Sequence, residues 1–138
     1  FIEKALKLIF PMHPRTRKNI EGTDLGRRVE AMEDLVLLEP IGYLDFLCLM
    51  ANAFLVLTDS GGIQEETTIL GVPCMTLREN TERPVTLTEG TNRLVPLTTE
   101  DILGHYRQIR SDSKDLRGRV PRLWDGHAAE RIVEVLSR

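Results

Sequence analysis

The strongest constraint on the fold is an alternation along the chain. Five short apolar runs, at 7–10, 35–38, 54–58, 74–77 and 93–95, are separated by segments with helical spacing. The runs do not alternate polar with apolar residues, so they read as parallel strands buried on both faces. Between them, a short helix ends over 27–32. The segment 43–53 is apolar nearly all round, as expected of a helix packed deep against a sheet. A helix over 63–70 is closed by Gly71, and another over 84–90 opens on Pro84. Thr98 followed by Asp101 forms a capping pair, with Ile102, Tyr106 and Ile109 on one face beyond it. A last helix, starting near Asp125, is expected to bury Ala128, Ala129, Ile132, Val133 and Leu136. Strands and helices in this order, joined by short connections, make an α/β fold with a doubly wound parallel sheet.

Composition narrows the function classes. At 138 residues the chain is expected to form a single domain, and 41% hydrophobic residues supply enough apolar surface to offset chain entropy. The formal net charge of -3 provides no basic field for nucleic acid. No apolar run approaches the ~20 residues of a membrane span. Two cysteines, Cys48 and Cys74, are too few for a disulfide scaffold or a four-ligand zinc site, and both are expected to be reduced core thiols of a cytoplasmic protein. The chain starts at Phe1 rather than Met, which hints at a piece of something larger.

In parallel sheets of this type, ligands bind beyond the carboxyl ends of the strands. Four loops are therefore expected on one edge. After the third strand comes Thr58-Asp59-Ser60-Gly61-Gly62-Ile63-Gln64-Glu65-Glu66. Its two glycines permit a sharp turn and close approach of a ligand to backbone, and the following helix N-terminus favours an anion such as phosphate. Ser60 can cap that helix or donate to the phosphate, and a carboxylate of Glu65 or Glu66 can accept from a ribose diol. A capped helix with a tight turn is the alternative. After the fourth strand, Arg78 and Arg83 can clamp a diphosphate or pair locally with Glu79 and Glu82. After the first, His13 stands between two prolines. After the second, Tyr43 or Phe46 can stack on a planar base or pack in the core. Together the loops point to a nucleotide or nucleotide sugar.

The motifs Met12-His13-Pro14-Arg15, Glu39-Pro40, Tyr43-Leu44-Asp45-Phe46, Thr58–Glu66 as written above, Gly71-Val72-Pro73, Thr81-Glu82-Arg83-Pro84 and Gly90-Thr91-Asn92 carry a specific resemblance. Over most of its length the chain resembles the carboxyl-terminal half of the non-hydrolysing UDP-N-acetylglucosamine 2-epimerases. The resemblance implies a Rossmann-like domain of the GT-B type. It also implies interconversion of UDP-GlcNAc and UDP-ManNAc, for envelope polysaccharide precursors, by elimination and re-addition of UDP. No metal and no other cofactor is implied. By the same resemblance Ser60, Gly61 and Gly62 hold the diphosphate, Glu66 the ribose, Phe46 and the backbone near Ile41 the uracil, and Arg83 lies near the phosphates. His13 and Arg15 border the substrate cleft and, in bacterial members, an allosteric UDP-GlcNAc site.

The resemblance also implies what is missing. Family members carry their catalytic carboxylates on an amino-terminal domain, and a His-Arg-Arg-Glu-Asn motif after a strand that this chain lacks. The sheet is expected to be incomplete at its amino-terminal side, with that strand absent from beside both the first and the third. The partners implied are the missing amino-terminal half and, for the full-length parent, a second copy in a homodimer. The isolated chain is expected to be inactive. A GT-B glycosyltransferase fragment and a non-catalytic UDP-sugar-binding module are the competing readings.

Overall fold

The computed structural model of the chain describes residues 6–111 and 120–138. It divides into two compact units, 1–47 and 48–138, with the boundary inside one helix.

The first unit holds β1 (Leu8–Pro11), α1 (Pro14–Ile20), α2 (Asp24–Glu30), β2 (Leu35–Leu38) and the start of α3 (Tyr43–Ala51). Strands β1 and β2 are parallel, in a register that pairs Leu8 with Leu35 and Pro11 with Leu38. Helix α1 was not foreseen from the sequence, but its local cause is clear. His13 takes the N-cap position and its Nδ1 accepts the Arg15 N–H at 3.1 Å, while Pro14 supplies a pre-set φ at the first helical position. Thr23 caps α2 by accepting the Gly26 N–H at 3.1 Å.

The second unit holds the rest of α3, β3 (Val56–Thr58), α4 (Gly61–Leu70), β4 (Cys74–Thr76), α5 (Val85–Thr88), β5 (Asn92–Leu94), α6 (Thr99–Ser111) and α7 (Ala128–Leu136). Its sheet is parallel in the order β3-β4-β5. Strand β4 lies in the middle and is buried at every residue. Helix α4 ends on Gly71, whose φ of 68° is the left-handed conformation glycine adopts without a Cβ penalty. The expected cap of α6 is present: Thr98 Oγ1 accepts the Asp101 N–H at 3.1 Å and donates to the Asp101 carboxylate at 2.6 Å. Tyr106 and Ile109, on its inner face, are buried.

The fold class is as expected, α/β with parallel strands, but cover is thinner than the apolar runs imply. Among the described residues β1 pairs only with β2, and β3 only with β4. A strand with one neighbour and little above it stays exposed, and Leu8, Ile9 and Phe10 of β1 are 59%, 48% and 42% accessible. Helix α3 buries only Met50, leaving Tyr43 and Leu44 exposed, instead of packing deep against a sheet. Helix α7 forms, yet it buries none of the residues assigned to its inner face, because Ala128, Ala129, Ile132, Val133 and Leu136 are all exposed. Of the two thiols, Cys74 is in the core and Cys48 is exposed on α3. Burial raises the Cys74 pKa, with hydrogen bonds to Thr67 and Thr76 opposing that rise.

Candidate functional site

The Ser60 loop leaves β3 at the carboxyl edge of its sheet. Parallel register sets Thr58 beside Thr76, so the loops that follow β3 and β4 start at the same end. Thr58 Oγ1 accepts the Ser60 N–H at 3.0 Å and tightens the turn. Helix α4 begins at Gly61, two residues earlier than the apolar pattern indicates, so Gly61 and Gly62 form its first turn. Ser60 sits at the N-cap with φ -86° and ψ 132°, but its side chain makes no cap hydrogen bond. The hydroxyl is therefore not engaged by the helix, and the first-turn amides have no intrahelical acceptor. Such a helix start favours an anion. Glu66 follows on α4, half-buried.

The loop after β4 closes over this turn. Arg83 Nε pairs with Glu65 Oε1 at 2.9 Å, and Arg78 Nη1 with Glu82 Oε2 at 3.2 Å. Arg78 thus shows the local pairing that is the alternative to a diphosphate clamp, whereas Arg83 pairs across the loop with Glu65 of α4. The Glu82 carboxylate lies against Gly61, where a Cβ would collide with its Oε1. Its pKa is lowered first by its own backbone N–H, partly opposed by desolvation, and further by the charges of Arg78 and Arg83.

Beneath both loops runs a polar network that the sequence did not single out. Thr81 Oγ1 donates to Gln64 Oε1 at 2.6 Å and accepts the Arg83 N–H at 3.0 Å. Asn92 Nδ2 donates to Gln64 Oε1 at 3.0 Å and to Thr86 Oγ1 at 3.1 Å, and its Oδ1 accepts from Thr76 at 2.6 Å. Thr86 Oγ1 in turn donates to the Arg83 carbonyl at 2.7 Å. Gln64, Thr76 and Thr86 are fully buried. The network ties α4, β4, α5 and β5 to the arginine loop, and so fixes the backbone of Arg83 relative to Ser60. The only sequence signal for it is a polar residue in each of two strands, Thr76 in the fully buried β4 and Asn92 at the start of the partly buried β5.

In the first unit, His13 and Arg15 follow β1 and Ile41 and Phe46 follow β2. The pairing of Pro11 with Leu38 brings the two connections out at one end of that sheet. An ion pair between Arg17 Nη2 and Glu39 Oε1, at 2.9 Å, links them. His13 has a structural task as the cap of α1, which commits its Nδ1 as an acceptor. Ile41 and Phe46 are half-buried, the latter in the first turn of α3. Among the described residues no cluster of His, Cys, Asp and Glu is arranged to hold a metal ion. Nor is any helix among them long and apolar enough to cross a membrane.

The sequence profile of one family, described as UDP-N-acetylglucosamine 2-epimerase, matches residues 2–137. The chain belongs to that family. It is 43% identical over 136 residues to a UDP-N-acetylglucosamine 2-epimerase homolog of Methanococcus maripaludis, a match covering 99% of this chain and 37% of that protein. Among solved structures it resembles the Methanocaldococcus jannaschii UDP-GlcNAc 2-epimerase in complex with UDP-GlcNAc and UDP. That TM-score is 0.82 at 42% identity, over 95% of this chain and 35% of the other. The Neisseria meningitidis UDP-GlcNAc 2-epimerase bound to UDP-GlcNAc matches with a TM-score of 0.79 at 33% identity, again over 95% and 35%. The chain therefore spans about a third of the length of the relatives it matches.

Proposed function

We propose that this chain is the UDP-binding part of a UDP-GlcNAc 2-epimerase, an isomerase that interconverts UDP-GlcNAc and UDP-ManNAc. The observation that carries the reading is the start of α4: an unengaged Ser60 hydroxyl, two glycines in the first helical turn, and an arginine loop fastened over them. Two of the similar structures contain UDP-GlcNAc, one of them with UDP as well.

In this reading Ser60 and the first-turn amides of Gly61 and Gly62 take the diphosphate, Arg83 lies beside it, and Glu66 accepts from the ribose. UDP is the leaving group of the elimination, and its re-addition with protonation from the opposite face completes the epimerisation. Donors at a helix start lower the barrier only so far as they bind the diphosphate more strongly while negative charge develops on it. The uracil roles of Ile41 and Phe46, and the cleft roles of His13 and Arg15, are proposed on resemblance alone. So are a cytoplasmic location, the homodimer of a full-length parent, and an acid–base set carried by the rest of that parent. No metal or other cofactor enters the reaction as proposed.

Calorimetry with UDP on the full chain, wild type against Ser60→Ala, tests the cradle. Loss of one hydrogen bond to a charged group is expected to weaken binding about tenfold. Equal affinity removes Ser60 from the site, and no binding at millimolar UDP removes the function. Incubation of the chain alone with UDP-GlcNAc is expected to yield no UDP-ManNAc. Turnover at a rate typical of an epimerase would overturn the assignment of the acid–base set elsewhere.

A further inference from the structure

A carboxylate already stands at the start of α4. A Cβ built on Gly61 would collide with Glu82 Oε1 and would lie 3.3 Å from its Cδ. The other carboxylate oxygen meets Arg78 Nη1 at 3.2 Å. A helix start and a guanidinium are the two groups a phosphate seeks. Here a tethered carboxylate bonds to the guanidinium and rests beside the helix start, on the side of Gly61 where a Cβ would stand, without taking up the first-turn amides. Two anions cannot share that position without strong repulsion.

We propose that Glu82 is a resident competitor for the nucleoside diphosphate, seated against Gly61 and Arg78 in the free chain and displaced when the ligand enters. The inference rests on the diphosphate reading of the same site. The movement it requires is confined to one side chain. On either side of Glu82 the loop is fastened, by Thr81 to the buried Gln64 and by the Arg83 carbonyl to Thr86. The Glu82 side chain itself is half-exposed, so breaking its bond to Arg78 lets it turn toward solvent. Its departure releases Arg78 to meet the incoming charge.

The arrangement also selects among anions. A carboxylate tethered beside the helix start has a high effective concentration, so a small anion making one contact competes poorly with it. A diphosphate that engages Ser60, the glycine amides and Arg78 together can replace it. Glu82 thus reserves the site for a ligand with several charged oxygens and lowers its affinity at the same time.

Calorimetric titration of the full chain with UDP, comparing wild type with Glu82→Gln and Glu82→Ala, decides the matter. Both variants are expected to bind about three- to tenfold more tightly, the range for removing an exposed like charge beside the ligand. Far-ultraviolet circular dichroism confirms that each is folded. If Glu82 instead serves to hold Arg78 for the ligand, both variants bind more weakly. Weaker or unchanged affinity overturns the competitor while leaving the UDP site intact. Absence of UDP binding in all three chains overturns the site and the competitor together. Binding by the variants but not by wild type supports both.

Discussion

At the scale of single residues, buried polar side chains decide how firmly the candidate site is held. Asn92 is 3% accessible and spends both amide hydrogens and its oxygen on Gln64, Thr86 and Thr76. Replacing it with alanine leaves three buried partners short of a bond each, and an unmade buried hydrogen bond costs far more than a made one contributes. Asn92→Ala is therefore expected to lower unfolding stability by about 2–4 kcal/mol in a urea titration at low protein concentration. A loss within experimental error of zero would show that the network is not cohesive. This layer was poorly legible in the sequence. Gln64 and Asn92 stand 28 positions apart, and nothing in their spacing marks them as partners. The Ser60-Gly61-Gly62 turn was legible because its chemistry is local: two glycines between an apolar run and a helix demand a sharp turn. The ion pairing of Glu82 with a nearby arginine is local and legible, but its seat against Gly61 depends on how the two loops meet.

At the scale of elements, helix starts explain more than helix faces do. The Thr98 cap of α6 and the Gly71 stop of α4 were both foreseen, because capping depends on neighbours in the chain. The buried face of α7 was not, since burial depends on what lies opposite. Helix α7 is instead anchored at its start by a side-chain clasp. Arg131 donates to both Asp125 oxygens at 2.9 Å and to the Leu123 carbonyl at 2.9 Å, and Leu123 itself adopts a left-handed φ of 71°. The Arg131 hydrogen bonds, followed by the His127 N–H, hold the Asp125 pKa down to about 2. A depressed carboxylate pKa means the clasp contributes fully above the unfolded value of about 3.9 and is lost as pH falls toward the folded one. Amide protection across α7, taken relative to the intrinsic exchange rate at each pH, is thus expected to fall between roughly pH 4 and pH 2, with Asp125→Asn already poorly protected at neutral pH. A variant whose exchange matches wild type at pH 7 would show that the clasp does not hold the helix.

At the scale of the whole molecule, the apolar runs are written for more cover than the described residues supply. Two-sided burial, which all five runs suggested, is complete only at β4, the strand flanked on both sides. Strand order is the property that a single sequence shows least, because it depends on pairings between distant segments. Among the described residues, strands β1 and β3 each have a neighbour on one side only, and each exposes large apolar side chains, Leu8, Ile9 and Phe10 in one and Leu57 in the other. An edge with unpaired backbone groups and apolar side chains is a template for another strand. The chain on its own is therefore expected to self-associate, with an average mass in analytical ultracentrifugation that rises with concentration. Charge placed on an edge opposes such pairing, so Ile9→Lys, at a half-exposed position of β1, is expected to shift the distribution toward monomer if that edge is the one used. The corresponding change in β3, Leu57→Lys, separates the two edges. A monodisperse wild-type monomer with a cooperative thermal transition would mean that both edges are protected, and that the apolar runs are satisfied without a further strand.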